Sequence, residues 1–348
     1  MSILRSSVLF LLTFLGCLLV LELYVSSAEI DLSYHELNPV IGKKMLPNKR
    51  IVMLKEGFYL GQTNEYGYLG PAYPKEKPDS VFRIALMGNS YAEGFQLWEK
   101  YHFSRILERE LSARTGKTVQ LLNFGSGNLN FHDMYIYYRN WAKEFNPDLV
   151  LYVVKSENMK ERTSYFIPSP YFYLDPDSAL QVNYDFTGKS VYQTYDRFSF
   201  LMENSVLVKM SQNAYKLAQK GRAPQILFDK LYDSYAASKQ KKDELEKDPE
   251  AEIKDLKLTA VTEAIFDEMS AEGKTLFVCR DAAPAFPEEL LRARGIPMVF
   301  VNDTLHDLKA AGIDPYLWKS TGRKGHWNYE GNEAVGHFLA EKLAPLVP

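Results

Sequence analysis

The run Ser80–Leu97, SVFRIALMGNSYAEGFQL, constrains the fold more than any other stretch. Val81, Ile84, Ala85, Leu86 and Met87 are apolar, and only Arg83 breaks the series. A short apolar run of this kind suits a parallel strand covered on both faces. It stops at Gly88-Asn89-Ser90, with Gly94 close behind. Glycines around a serine permit a tight turn that exposes the hydroxyl. In open parallel sheets, ligands collect at the carboxyl edge of the strands. On these residues alone an ordinary strand-to-loop turn is the simpler explanation, and residues later in the chain shift that balance.

The chain then repeats the pattern. Glu99–Thr115 reads as an amphipathic helix with Phe103, Ile106, Leu107 and Leu111 on one face. Thr118–Phe124 is a second strand ending in Gly125-Ser126-Gly127-Asn128, and His132–Phe145 is helical. Pro147-Asp148 introduces a third strand, Leu149–Val154, followed by Lys155-Ser156-Glu157-Asn158. Arg162–Phe200 interrupts the rhythm, with a hairpin expected around Asp175–Ser178. Helical segments follow over Ser199–Lys220 and Leu227–Gly273, including the charged stretch Lys239–Lys257. Thr275–Cys279 and Pro297–Val301 are the fourth and fifth strands, with a helix at Pro287–Arg294 between them and a last helix over Glu330–Leu343. Alternating strands and helices imply right-handed crossovers and a parallel sheet. The expected fold is a three-layer α/β/α domain of flavodoxin-like type.

Before that domain the chain carries two other segments. Val8–Val25 is apolar apart from Thr13 and Glu22. Eighteen helical residues span about 27 Å, enough for a bilayer core. An uncleaved single-pass anchor is the favoured reading; a signal peptide cut near Ser26-Ser27-Ala28 is the competing one. The expected division is 1–28 anchor or signal, 29–79 lead-in, and 80–348 main α/β/α domain with an insertion around 160–250. With Arg5 and the amino terminus as the positive flank, the main domain is expected outside the cytoplasm. The net charge of −3 gives no reason to expect nucleic acid as partner. Cys17 and Cys279 form neither a disulfide framework nor a metal pattern.

Three strand ends thus carry Ser90, Gly127 and Asn158, and His326 precedes the final helix. Acyl transfer by serine needs such a set: a nucleophile, a base within hydrogen-bond reach and donors aimed at the oxyanion. Ser90 is the candidate nucleophile and His326 the base. The Ser90 and Gly127 N–H groups and the Asn158 side-chain amide are the candidate donors.

These blocks resemble the SGNH (GDSL-type) hydrolase family, in particular its membrane-anchored bacterial members. The nucleophile block is matched by Gly88-Asn89-Ser90, the second by Asn123-Phe124-Gly125-Ser126-Gly127, the third by Pro147-Asp148-Leu149-Val150 through Glu157-Asn158-Met159, and the last by Gly325-His326-Trp327-Asn328. Thr63-Asn64-Glu65-Tyr66-Gly67 in the lead-in also resembles these members. The resemblance implies a serine esterase or O-acetyltransferase acting on acyl esters, including acetylated glycans of a cell envelope or exported polysaccharide. It implies no metal and no organic cofactor. Four positions depart from the family: Asn89 stands where it has Asp, Glu157 and Met159 flank Asn158 where it has Gly-Asn-Asp, and Arg323 occupies the usual place of the catalytic Asp, three residues before the histidine. Three readings follow. His326 acts in a dyad oriented by a backbone carbonyl; Asp303, just after the fifth strand, supplies the acid; or the site is inactive and kept to bind glycan or an assembly partner.

Other signals carry less. Gly125-Ser126-Gly127 lacks the rest of a dinucleotide fingerprint. His132-Asp133 and His306-Asp307 read as surface or capping pairs, and His35, His102 and His337 have no evident partner. Tyr165, Phe166, Tyr171, Phe172, Tyr173, Tyr184 and Phe186 suit either a sugar-stacking platform or packing of the hairpin onto the sheet, and the second is favoured.

Overall fold

The computed structural model describes residues 2–27, 34–54, 56–159, 169–208, 210–211, 258–280 and 287–348. The expectations for Lys239–Lys257, the helix from Leu227 to residue 257, and Tyr165 and Phe166 fall outside them. The chain divides into two units: Met1–Glu36 with Thr194–Lys247, and Leu37–Gln193 with Asp248–Pro348.

In the first unit, α1 (Ser2–Ser27) contains Leu4–Val25, 22 residues with a mean hydropathy of 2.5. By length and composition it can cross a membrane or serve as a signal. Its one acidic residue, Glu22, accepts hydrogen bonds from Ser205 Oγ and from the Val206 and Leu207 N–H groups at 2.7, 2.7 and 3.2 Å. The carboxylate thereby serves backbone donors at the start of a helical turn, which have no carbonyl partner of their own.

The second unit is built on five parallel strands. The short pair β1 (His35–Asn38) and β2 (Gly42–Met45) and the antiparallel hairpin β3 (Arg50–Met53) and β4 (Tyr59–Gln62) precede them in the chain. Then come β5 (Val81–Gly88), α2 (Ser90–Glu93), α3 (Phe103–Thr115), β6 (Thr118–Asn123), α4 (Phe131–Asn140) and β7 (Leu149–Val154). The hairpin β8 (Tyr171–Leu174) and β9 (Leu180–Asn183) turns at the residues expected; α5 (Ser190–Asn204) starts at the end of this stretch and from Thr194 onward belongs to the first unit. The domain closes with α6 (Ala260–Glu272), β10 (Thr275–Cys279), α7 (Glu288–Ala293), β11 (Met298–Phe300), α8 (Asn302–Ala310), the two-residue strands β12 (Leu317–Trp318) and β13 (Arg323–Lys324), and α9 (Tyr329–Leu343).

The sheet order is β11-β10-β7-β5-β6. Counting the five strands along the chain, this is 2-1-3-4-5, the flavodoxin-like order, whose switch point lies between the first and third strands. Here that point lies between β5 and β7, paired in parallel from Ile84↔Leu149 to Gly88↔Val153. Ser90 leaves one of these strands and Asn158 the other.

Successive side chains of a strand point to opposite faces, which yields two cores. Ile84, Leu86, Leu151 and Val153 face Phe103, Leu107 and Leu111 of α3, Leu305 of α8, and Val335 and Leu339 of α9. Ala85, Met87, Val150, Tyr152 and Val154 face α4, α6 and α7 through Met134, Ile136, Ile265, Phe266, Met269 and Leu291. Helices therefore cover both faces, giving the three-layer α/β/α architecture. Phe172 and Phe186 are buried, Phe172 against Tyr135 and His132, whereas Tyr171, Tyr173 and Tyr184 are exposed. Arg83, the polar break in the first strand, is fully buried and spends its donors on Gln120 and the Lys75 and Phe145 carbonyls.

Candidate active site

Ser90 opens α2, a single turn at the end of β5. Asn89 caps it, its side-chain oxygen accepting from the Tyr91 N–H at 3.3 Å, and Gly94 ends it in a left-handed conformation, φ 71°. The turn is pinned from behind. Asn123 Nδ2 donates to the Ala92 carbonyl at 2.6 Å, and buried His102 Nε2–H donates to the Tyr91 carbonyl at 3.0 Å. A carbonyl only accepts, so His102 carries its proton on Nε2, while Nδ1 accepts from Ser104 Oγ at 2.7 Å. This histidine, which has no evident partner in the sequence, holds the serine turn. Burial lowers its pKa to about 4, so it stays neutral at pH 7.

His326 lies 2.7 Å from Ser90 through Nε2. Its other ring nitrogen faces a carboxylate from an unexpected quarter. Nδ1 is 3.0 Å from both oxygens of Glu56, and Glu56 Oε2 also accepts the His326 backbone N–H at 2.9 Å. An ionised carboxylate only accepts, so the proton sits on Nδ1 and Nε2 is free to take the proton of Ser90. Ser90, His326 and Glu56 thus have the connectivity of a nucleophile–base–acid triad.

Glu56 belongs to the lead-in, in the connection between β3 and β4. That connection is seated by contacts only a small residue permits. A Cβ on Gly57 would stand 2.2 Å from the Gln96 carbonyl and 2.4 Å from the Trp318 ring. A Cβ on Gly325 would stand 2.4 Å from the Glu56 carboxyl carbon. Thr321 Oγ1 donates to the Glu56 carbonyl at 2.7 Å, and Trp318 Nε1 donates to the His326 carbonyl at 3.0 Å.

Asp303 does not take this role. It is exposed in the first turn of α8 and makes no hydrogen bond to His326. The backbone-oriented dyad is likewise displaced, because a carboxylate occupies Nδ1. Arg323 and Lys324 lie exposed in β13, paired with β12, and Lys324 forms an ion pair with Asp314 at 2.9 Å. The cations that replace the usual acid are therefore not what meets the Nδ1 side of the ring.

The expected oxyanion donors divide. The Ser90 N–H is in the first turn of α2, where no preceding carbonyl can accept it. Asn158 Oδ1 accepts from the Lys155 N–H at 2.8 Å and from Asn89 Nδ2 at 3.4 Å, which turns the Asn158 amide nitrogen away from both. Asn89 thereby acquires a purpose, since an ionised Asp there could not donate to Asn158. Met159 is buried at 1% exposure and serves the core. Gly127 departs from expectation: its N–H donates to the buried carboxylate of Glu93 at 2.9 Å. Its amide is committed within the protein, whereas among the described residues the Ser90 N–H and Asn158 Nδ2 meet no acceptor.

Tyr91 borders the site, its ring 4.5 Å from that of His326 and 5.0 Å from Trp327. Burial pushes its hydroxyl pKa up against the opposing pull of Arg280. Among the described residues no group of three or more His, Cys, Asp or Glu could hold a metal ion.

No protein-family model and no curated protein matches the chain. Solved structures do resemble it. A lipase/acylhydrolase from Enterococcus faecalis is 12% identical over 76% of this chain and 96% of its own, with a TM-score of 0.39. A candidate lipolytic protein of the G-D-S-L family from Desulfitobacterium hafniense DCB-2 is 10% identical over 74% and 98%, TM-score 0.33. An alpha/beta hydrolase enzyme from the metagenome of Lake Arreo, Spain, is 12% identical over 74% and 94%, TM-score 0.37. At these identities the chemistry is read from the site itself.

Proposed function

We propose that the protein is a serine esterase or acyltransferase acting on acyl esters. The observation that carries this reading is the connected set Ser90 Oγ, His326 Nε2, His326 Nδ1 and Glu56, at 2.7 and 3.0 Å. Ser90 Oγ attacks the acyl carbon and its proton passes to His326 Nε2. Glu56 stabilises the imidazolium and fixes the tautomer. The oxyanion of the tetrahedral intermediate is met by Ser90 N–H and the Asn158 amide. Collapse breaks the ester bond, and the departing alkoxide takes the proton from His326. Water, or the hydroxyl of an acceptor such as a sugar, then attacks the acyl-enzyme by the reverse route; the first gives an esterase, the second an O-acetyltransferase.

α1 supports a membrane-tethered form with the domain outside the cytoplasm. Acetylated envelope or exported glycans are the substrate class that the motif resemblance favours. The test is a screen of the full chain, purified in detergent, against 4-nitrophenyl acyl esters and acetylated glycans, beside Ser90→Ala. Hydrolysis that vanishes in the variant supports the reading; hydrolysis equal in both refutes it.

A second reading, a binding protein with no turnover, draws on one observation. The Gly127 N–H, expected to face the oxyanion, is held by Glu93. It predicts saturable glycan binding without hydrolysis and without reaction of Ser90 with activated phosphonates.

A further inference from the structure

Arg280 is the first residue after β10, and its N–H donates to the Val154 carbonyl at the end of β7 at 2.9 Å. It therefore stands on the same carboxyl edge as Ser90, beside the loop that carries Asn158. Its guanidinium carbon lies 3.7 Å from the centre of the Tyr91 ring, which also packs against the His326 imidazole at 4.5 Å and the Trp327 ring at 5.0 Å.

What sets this arginine apart is one unused donor, in a guanidinium whose side-chain interaction is otherwise with Tyr91. Its Nε is buried and has no hydrogen-bond partner. The other well-covered arginines are spent: Arg83 on Gln120 and two carbonyls, Arg105 on Glu108 at 2.6 Å, Arg294 on Asp267 at 2.7 Å. Among the described residues no carboxylate forms an ion pair with Arg280. Buried donors are nearly always satisfied, and an unsatisfied one calls for a reason. A guanidinium is a planar fork whose geometry matches carboxylate and phosphate oxygens. Stacking on Tyr91 fixes the plane of that fork and lowers the entropy lost when an anion binds. Two carboxylates, Glu56 and Glu157, also act on Tyr91. Glu56 is held by His326, and Glu157 is exposed. Neither uses the free donor.

We propose that Arg280 anchors an anionic oxygen group, carboxylate or phosphate, carried by the ester substrate of the Ser90 site. This rests on the acyl-ester reading and narrows its substrate class to esters of acidic molecules. Arg280 selects the substrate, and its contact with Tyr91 ties that selection to the catalytic histidine.

The experiment measures second-order rates of Ser90 labelling in the full chain in detergent. Three fluorophosphonates share one short alkyl chain, tested over several lengths, and end in a methyl ester, a carboxylate or a phosphate. The wild type is expected to react with at least one anionic probe about tenfold or more faster than with the neutral one, the scale of a charge-assisted hydrogen bond. The better anion, carboxylate or phosphate, identifies the group. Arg280→Gln is expected to bring the anionic-to-neutral ratio to about one, and Arg280→Lys to keep part of it. Equal rates for all three probes in the wild type overturn the inference, as does a ratio unchanged in Arg280→Gln. Failure of the neutral probe to label the wild type refutes the esterase reading and this inference with it. Because the readout is a ratio within each variant, a general loss of reactivity does not mimic the expected result.

Discussion

Replacing Glu56 by Gln removes a charge while keeping the shape of the side chain. Glu56 accepts two hydrogen bonds from one residue, Nδ1–H and the backbone N–H of His326. Gln offers one oxygen for the pair, and its NH₂ facing Nδ1 would favour the tautomer with the proton on Nε2. That tautomer cannot accept the proton of Ser90. The imidazolium of the transition state also loses its counter-charge. At an effective dielectric of about 20, unit charges 3.0 Å apart interact by about 5 kcal/mol. The two side chains are 24% and 19% exposed, so solvent screening reduces that figure. A loss of about 10² to 10⁴ in kcat/KM is expected, bracketed above by the roughly 10⁴ known for the serine protease triad. The assay is the rate of phosphonate labelling or of 4-nitrophenyl acetate hydrolysis, with circular dichroism to show that the fold is kept. Asp303→Asn, measured beside it, is expected to stay within about twofold, as surface changes away from a site do. A Glu56→Gln rate within tenfold of wild type, or an equal loss from Asp303→Asn, would refute the triad.

Gly325→Ala places a methyl group where the Glu56 carboxylate sits, 2.4 Å from its carboxyl carbon, so labelling should fall by about 10² or more. A rate near wild type would show that Glu56 is not held there. Asn158→Ala should lower kcat by about 10² to 10³ with little change in KM, because the amide acts on the oxyanion; an effect confined to KM would contradict that role. Acid should destabilise the fold through two buried histidines. His102 and His132 both have pKa values lowered by burial from 6.5 to about 4, so the unfolded chain binds more protons between those values. Their contribution is fully present above pH 6.5 and is lost as pH falls towards 4, by roughly 3 kcal/mol for each when complete. Urea unfolding at pH 7 and pH 4.5 measures this, and equal midpoints would exclude it.

The fold was largely legible because the information lay in local pattern. Leu149–Val154 and Thr275–Cys279 are short, almost wholly apolar runs set between helical patterns, as strands buried on both faces are, and the structure has strands at those residues. The placement of Ser90, Asn158 and His326 is legible for the same reason, since each follows a strand or precedes the last helix, and Ser90 and His326 meet at 2.7 Å. Glu56 was not. It is one acid among the Pro, Gly and Asn residues of the lead-in, and it reaches His326 across 270 positions through a hairpin whose seating depends on Gly57 and Gly325. Asp303 is the acid best placed by chain order, because it follows a strand, but it lies exposed in the first turn of α8. Gly127 failed as an open donor because Glu93, four residues into the serine turn, folds back onto its amide. Backbone position was predictable there; the competing carboxylate was not. His102 and His132, read as partnerless or superficial, are buried and hydrogen-bonded, His132 to Thr262 Oγ1 at 2.8 Å. Contacts made by side chains far apart in the chain leave no periodicity to read.

The most direct test is to treat the full chain in detergent with a neutral fluorophosphonate and map the adduct by peptide mass spectrometry. The triad predicts one adduct, on Ser90, that disappears in His326→Ala and slows by about 10² or more in Glu56→Gln. A folded wild type that carries no adduct, or carries it on another serine, would contradict the assignment of Ser90 as an activated nucleophile.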